Sequence, residues 1–259
     1  MLRPRIIPCL LIHKGGLYKT INFKEHKYVG DPLNAVRIFN EKEVDELIVI
    51  DIDKTKLNQE PDYEFIEKIA TQCRMPLCYG GGIKKVSQVE RIISLGVEKV
   101  AISSGAIENP SLICEASKKV GNQSIVFIMD IKKNRFRKQN YHLYTLNGTK
   151  NTGLDPLEVS KKMESLGAGE IVVNSIDRDG TLKGYDDFIL DKIYRNVSIP
   201  LTALGGLGSD KDLAFMIKKY GLIGLSGGSF FVFKGKYRAV LIQYISPLQK
   251  ENLFIESNK

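Results

Sequence analysis

Asp31-Pro32-Leu33 and Gly81-Gly82 decide the fold, because both return 124 residues further on, as Asp155-Pro156-Leu157 and Gly205-Gly206. Glu46 with Ile52-Asp53 returns as Glu170 with Ile176-Asp177 at the same offset. A period near half the chain means two copies of one large unit, not a solenoid of short ones. The repeats are expected at about 1–123 and 124–248, inside one domain spanning 1–259. A duplicated unit predicts a symmetric site, so a position where the halves disagree is a functional clue.

Working outward, short β-branched runs alternate with helical patterns. Strands are predicted at Arg5–Ile12, Leu47–Asp51, Leu77–Tyr79, Lys99–Ser103, Ser124–Ile131, Ile171–Ser175, Leu201–Leu204 and Leu222–Leu225. Helices are predicted at Pro32–Glu43, Tyr63–Gln72, Val86–Leu95, Pro110–Val120, Pro156–Leu166, Asp187–Tyr194, Asp210–Tyr220 and Lys236–Ile245, with a lightly packed tail at Lys250–Lys259. Asp31-Pro32, Asn109-Pro110, Asp155-Pro156 and Ser209-Asp210 each put a capping residue before a first turn. Eight strands and eight helices in even alternation imply the α/β class, a (β/α)8 TIM barrel built from two tandem half-barrels. In such a barrel, catalytic groups gather at the C-terminal ends of the strands.

The composition of the 259 residues is that of an ordinary globular protein, 43% hydrophobic and 26% charged. No apolar run approaches the ~20 residues of a membrane span, and Ile6–Ile12 lacks a cleavage site. Cys9, Cys73, Cys78 and Cys114 have no metal-type spacing and read as reduced core thiols of a cytoplasmic protein. No metal or cofactor is expected. The net charge of +8 suits phosphorylated small molecules or an acidic partner. Its densest cluster, Lys132-Lys133-Asn134-Arg135-Phe136-Arg137-Lys138, reads as a solvated hairpin loop and not a nucleic-acid site.

Glycines after a strand let backbone N–H groups converge on an anion. Gly80-Gly81-Gly82-Ile83 follows the third strand, and Gly205-Gly206-Leu207-Gly208 follows the seventh. Ser226-Gly227-Gly228-Ser229 completes the second cradle, and Asp179-Gly180-Thr181 is placed to add a hydroxyl and an N–H. Two such loops at related positions suggest a ligand with a phosphate at each end.

Arg5-Ile6-Ile7-Pro8-Cys9-Leu10, Gly15, Lys19, Gly30-Asp31-Pro32, Asp45-Glu46-Leu47, Glu108-Asn109-Pro110-Ser111-Leu112, Asn151-Thr152-Gly153 and Ser175-Ile176-Asp177-Arg178-Asp179-Gly180-Thr181 carry a specific resemblance. With the Gly80–Ile83 loop, they resemble the cyclase subunit of imidazole glycerol phosphate synthase over nearly the whole chain. The resemblance implies a bisphosphorylated substrate, held here by Lys19, Gly81, Gly82, Ser103, Asp179, Gly180, Gly205, Gly206, Gly228 and Ser229. It implies ammonia delivered by a glutaminase docked on the N-terminal face, and a catalytic aspartate at the end of strands one and five. The family reaction adds ammonia, closes an imidazole ring and releases an aminoimidazole carboxamide ribotide.

Asp130 stands at the strand-five position, but its counterpart is Leu11, which cannot transfer a proton. Ser103 and Leu204 depart from the family's usual Asn and Ser. Asp51 or Asp53, at the end of strand two, are the residues able to stand in. The floor is different: Arg5, Glu46, Lys99 and Glu170 match the charged ring that gates the family's ammonia passage, with Glu98 near the partner face and Cys78 and Ala101 keeping the passage narrow. Three roles fit this pattern: a subunit that channels ammonia to a third enzyme in surface-sugar amidation, an ordinary biosynthetic cyclase, or a noncatalytic scaffold that activates a glutaminase. Loop 1, Gly15 to Gly30, is a candidate lid.

Overall fold

The computed structural model describes residues 3–134 and 140–257. Its barrel strands are β1 (Arg5–His13), β2 (Leu47–Asp51), β3 (Leu77–Gly80), β4 (Lys99–Ile102), β5 (Ile125–Lys133), β6 (Glu170–Ser175), β7 (Leu201–Leu204) and β8 (Gly224–Gly227). All pair in parallel in chain order, β8 returns to β1, and β5–β6 pairing completes the closed barrel. The fold is the (β/α)8 barrel expected from the alternation.

Helices α1 (Pro32–Glu41), α2 (Tyr63–Gln72), α3 (Val86–Ser94), α4 (Ser111–Val120), α5 (Pro156–Ser165), α6 (Asp187–Tyr194), α7 (Asp210–Tyr220) and α8 (Pro247–Ser257) form the outer layer. Helix α1 starts where the sequence implies: Asp31 accepts the Asn34 N–H at 2.8 Å, and Pro32 fills the first position, where no donor is missed. Asp155-Pro156 does the same for α5, with Asp155 accepting from Leu157 and Glu158. The helices bury their apolar stripes against the outward faces of the strands, through residues such as Phe39, Ile66, Ile92, Ile113, Ile193 and Leu213.

The eighth helix departs from expectation. Lys236–Ile245 is not helical: Phe233–Lys234 and Ala239–Val240 pair as a small antiparallel hairpin, turning through Gly235 and Arg238, both at positive φ. The segment that follows is irregular, held by the Leu241 and Gln243 N–H groups donating to Val232 O and Phe231 O at 3.0 and 2.8 Å. Tyr244 donates from its hydroxyl to Ile6 O (2.7 Å), pinning this segment across the start of β1. The outer position is taken instead by α8, which buries Leu253 and packs on α7, so residues 250–257 are not a loose tail.

Two barrel strands extend into antiparallel ribbons. Lys14 and Gly15 turn β1 back into Gly16–Ile21, which pairs with Lys24–Gly30. Strand β5 pairs with Tyr141–Thr145, and Lys132 and Lys133 lie on that ribbon while residues 135–138 of the basic cluster fall outside the described residues. Leu11 faces Tyr18 in the first ribbon and Asp130 faces Tyr144 in the second, so the two residues hold equivalent places. Among the described residues no helix is long and apolar enough to cross a membrane, and all four cysteines are free.

Phe231, in the short helix Ser229–Val232, is fully buried, with ring contacts to Phe230 and Tyr244. Phe231→Ala is expected to lower unfolding free energy by about 3–5 kcal/mol in urea titrations.

Candidate functional site

Side chains of successive strand residues alternate between the helix layer and the barrel axis. From β1 the inward set is therefore Arg5, Ile7, Cys9, Leu11 and His13, read from floor to mouth. Around the barrel follow Glu46, just before β2, with Ile48 and Ile50, then Lys99 and Ala101, then Val126, Ile128 and Asp130, and then Glu170, Val172 and Asn174.

At the floor, Arg5, Glu46, Lys99 and Glu170 form a closed ring of ion pairs. Arg5 bonds both carboxylates, reaching Glu170 Oε1 at 2.8 Å, and Lys99 Nζ lies 2.9 Å from each. The two carboxylate side chains are 4% and 7% exposed, against 29% and 19% for Arg5 and Lys99, so the anions are the deeper partners. Burial alone would raise the Glu170 carboxyl, but Arg5 and Lys99 hold it below its ordinary range. The Thr202 hydroxyl also donates to Glu170. Glu98, on the same face, accepts the Leu77 N–H at 2.7 Å.

Above the ring the axis is apolar. Ile7, Cys9, Ile48, Cys78, Ala101, Val126, Ile128, Val172 and Leu204 form an inner cluster, capped by Leu11 and Ile50.

The mouth is a cavity of about 200 Å³ to which every strand end contributes. It brings together Leu11, Lys19, Gly81, Gly82, Ser103, Asp130, Asp179 and Gly228 of the residues expected from sequence. Gly180, Gly205, Gly206 and Ser229 lie behind its wall. A Cβ on Gly206 would come within 2.1 Å of Gly184 O, and one on Gly180 within 2.0 Å of Thr20 O, so glycine is required there for close backbone packing. In the first cradle the Gly82 N–H donates to Thr55 Oγ1 at 3.1 Å.

Loop 1 is docked on Asp179, in the loop that follows β6. Thr20 Oγ1 and the Phe23 N–H both donate to Asp179 Oδ2, at 2.6 and 3.3 Å. Lys19 is thereby buried to 3% exposure, donating to Cys9 O and lying against Gly228, whose added Cβ would sit 2.5 Å from Nζ. Burial lowers the Lys19 pKa. Ser229 Oγ accepts from Arg238 Nη2 at 3.0 Å, and Gly180 O from Nη1 at 3.4 Å. Arg238 is a cation at the second cradle that the sequence reading does not single out.

Neither stand-in carboxylate is free. Asp51 Oδ1 accepts the N–H groups of Asp53 and Lys54, capping the short helix Ile52–Lys56. Asp53 lies 2.7 Å from His13 Nδ1 and accepts the Lys14 N–H at 2.7 Å. His13, His26, Thr55, Lys56, Asn147 and Thr149 also line the mouth, and sequence reasoning misses all six as site residues. A detectable signal exists for His13, two residues beyond Leu11 and on the same strand face. Among the described residues no group of His, Cys, Asp or Glu is arranged to hold a metal ion.

Asp130 is gripped by the Asn174 Nδ2 donor at 2.8 Å, from the residue beside it in the β5–β6 register. Burial dominates over that hydrogen bond and pushes its pKa up to about 7, with Asp179 adding to the rise. Between its unfolded value of 3.8 and about 7, the unfolded chain releases this proton and the folded chain keeps it. The site therefore costs stability as pH rises through that window. Asp130→Asn is expected to be more stable than the parent by about 1–3 kcal/mol at pH 8. The gap should close towards pH 4, as read by denaturant unfolding at each pH.

Sequence comparisons show the family to which the chain belongs. The profile of the family described as "Histidine biosynthesis protein" matches residues 5–238. The chain is 55% identical over 251 residues to the "Putative imidazole glycerol phosphate synthase subunit hisF3" of Vibrio vulnificus, covering 97% of this chain and 96% of that one. It is 52% identical over 254 residues to the "Putative imidazole glycerol phosphate synthase subunit HisF" of Leptospira interrogans, covering 98% and 100%. To the "Imidazole glycerol phosphate synthase subunit HisF" of Lactococcus lactis it is 41% identical over 219 residues, covering 85% and 84%. The chain belongs to the histidine biosynthesis protein family, among its HisF-like imidazole glycerol phosphate synthase subunits.

Proposed function

We propose that this protein is the synthase-type subunit of a glutamine amidotransferase complex, that it receives ammonia from a glutaminase on the N-terminal face of the barrel, and that it passes the ammonia along the barrel axis. The observation that carries this reading is the contrast between floor and mouth. All four charges of the ring are present and mutually paired, at positions whose burial disfavours lone ions. Above them the lining is nonionic up to Leu11 and Ile50. A neutral ammonia molecule crosses such a lining more easily than ammonium, because burying an unpaired charge is far costlier than burying a small neutral polar molecule.

At the mouth the carboxylate pair of the cyclase is reduced to Asp130. A single carboxyl facing Leu11 lacks half of the acid–base pair, a contribution worth about 10²–10⁴-fold in typical enzymes. This supports a divergent paralogue whose cyclase step is lost or altered. The ammonia then serves a third enzyme, in the amidation of nucleotide sugars for surface polysaccharide. The phosphate-binding roles of Lys19, Gly81, Gly82, Ser103, Asp179, Gly180, Gly205, Gly206, Gly228 and Ser229 belong to this proposal.

The test uses the cognate glutaminase and measures glutamine hydrolysis with and without this chain. Stimulation of several-fold or more is expected, and no stimulation contradicts the reading. Arg5→Ala strips both buried carboxylates of a partner and is expected to destabilise the barrel by about 3–5 kcal/mol. It should also uncouple glutamine hydrolysis from ammonia delivery. Lys99→Met, which leaves Arg5 bridging Glu46 and Glu170, checks that lost coupling does not follow from unfolding. Coupling unchanged in both variants would remove the ring from the ammonia path.

A further inference from the structure

The acid–base chemistry of the mouth does not end with Asp130. On β1 the residue two beyond Leu11 is His13, one pleat nearer the opening and lining the same cavity as Asp130. Its Nδ1 lies 2.7 Å from Asp53 Oδ1. The other oxygen of Asp53 is fixed by the Lys14 N–H, so the carboxylate is clamped from two sides. Burial pushes the Asp53 pKa up, but the Lys14 N–H and His13 outweigh it and hold Asp53 below the ordinary carboxylate range. An ionised Asp53 can only accept, so Nδ1 carries the shared proton, and in the neutral ring Nε2 is the basic nitrogen. Among the described residues no hydrogen bond engages Nε2. The groups facing the ring are Asp53, the His26 ring at 4.7 Å and the Tyr18 ring at 5.0 Å, with Lys14 and Lys56 close enough to His26 to depress its pKa after burial and His13.

We propose that His13, oriented by Asp53, is a proton-transfer residue of this mouth, acting with Asp130 on a carbonyl-bearing phosphate monoester such as a ketose phosphate. The phosphate end is drawn to Lys56 and the Gly81-Gly82 loop, which line the same cavity. His13 Nε2 takes a proton from the carbon next to the carbonyl. The C–H electron pair becomes the C=C bond of an enediol. The carbonyl π pair moves to oxygen, which takes the proton of the Asp130 carboxyl. Reversal returns one proton to carbon and one to Asp130, so no other reactant is needed. Asp53 acts through His13 and is a positioning residue.

The inference rests on the phosphate-binding role proposed above for Gly81 and Gly82 but not on the ammonia reading, and its test needs neither glutaminase nor ammonia. Dihydroxyacetone phosphate and ribulose 5-phosphate are incubated with the protein in D2O, and loss of the C–H signals is followed by proton NMR. Exchange above the buffer rate is expected for at least one. His13→Gln should slow it about 100-fold or more, with unchanged affinity for inorganic phosphate and an unchanged melting temperature. Asp53→Asn should slow exchange and move the His13 ring nitrogens to the other tautomer in 15N spectra, while Asp53→Glu recovers part of both. No exchange with either compound, or equal exchange in His13→Gln, overturns the proposal.

Discussion

The ion-pair ring at the barrel floor is the constraint on which the rest depends. Four charges, from β1, β4, β6 and the residue just before β2, converge at one level of the barrel, and each cation touches both carboxylates. Isolated, either carboxylate at that depth would be pushed towards its neutral form. In the ring Arg5 and Lys99 hold the Glu170 carboxyl below its ordinary range against its burial, and the four charges together fix the register of four strands. A slip of one residue in any of these strands would turn its charge into the apolar helix layer. Above the ring the axis is nonionic, and the proposed ammonia passage rests on that pairing of a charged floor with an apolar axis.

The same register carries the consequences upward. With Arg5, Glu46 and Glu170 fixed inward, Leu11, Asp130 and Asn174 must also face the axis. The mouth is therefore unequal by geometry. One side has Leu11, with His13 and Asp53 above it, and is joined by the cavity to the Gly81-Gly82 loop and Lys56. The other side is filled: loop 1 seats on Asp179, Lys19 lies on Gly228, and Arg238 bonds Ser229 and Gly180. An apparently symmetric pair of glycine cradles thus becomes one half open to the cavity and one half covered by cationic side chains.

Much of this is legible in the sequence, for physical reasons. Asp-Pro and Asn-Pro pairs mark helix starts because a capping side chain and a fixed φ are local devices. The barrel follows from counting the elements they delimit. The ring is legible only through the family resemblance: charges at strand starts are common, and it is the match of all four positions together that sets these apart. The segment after β8 is not legible: Lys236–Ile245 has helical spacing, but Gly235 and Arg238 at positive φ divert it into a hairpin, and Tyr244 ties it to Ile6. Tertiary contact outweighs propensity there. The His13–Asp53 pair is equally hidden, because its members lie 40 positions apart and only the β1–β2 register brings them together. The motif Asp179-Gly180-Thr181 points to the mouth, but the bonds Asp179 accepts from Thr20 and Phe23 depend on how loop 1 folds back.

The central claim is that the floor has kept a passage while the mouth has given up the cyclase reaction. Its most direct test is steady-state turnover of the bisphosphorylated ribulosyl substrate of the cyclase family, with ammonium salt supplying ammonia directly. The account predicts no turnover at enzymatic rates by the natural chain, and a gain of activity in Leu11→Asp, which restores the second carboxylate opposite Asp130. Turnover by the natural chain at ordinary enzymatic rates would contradict it.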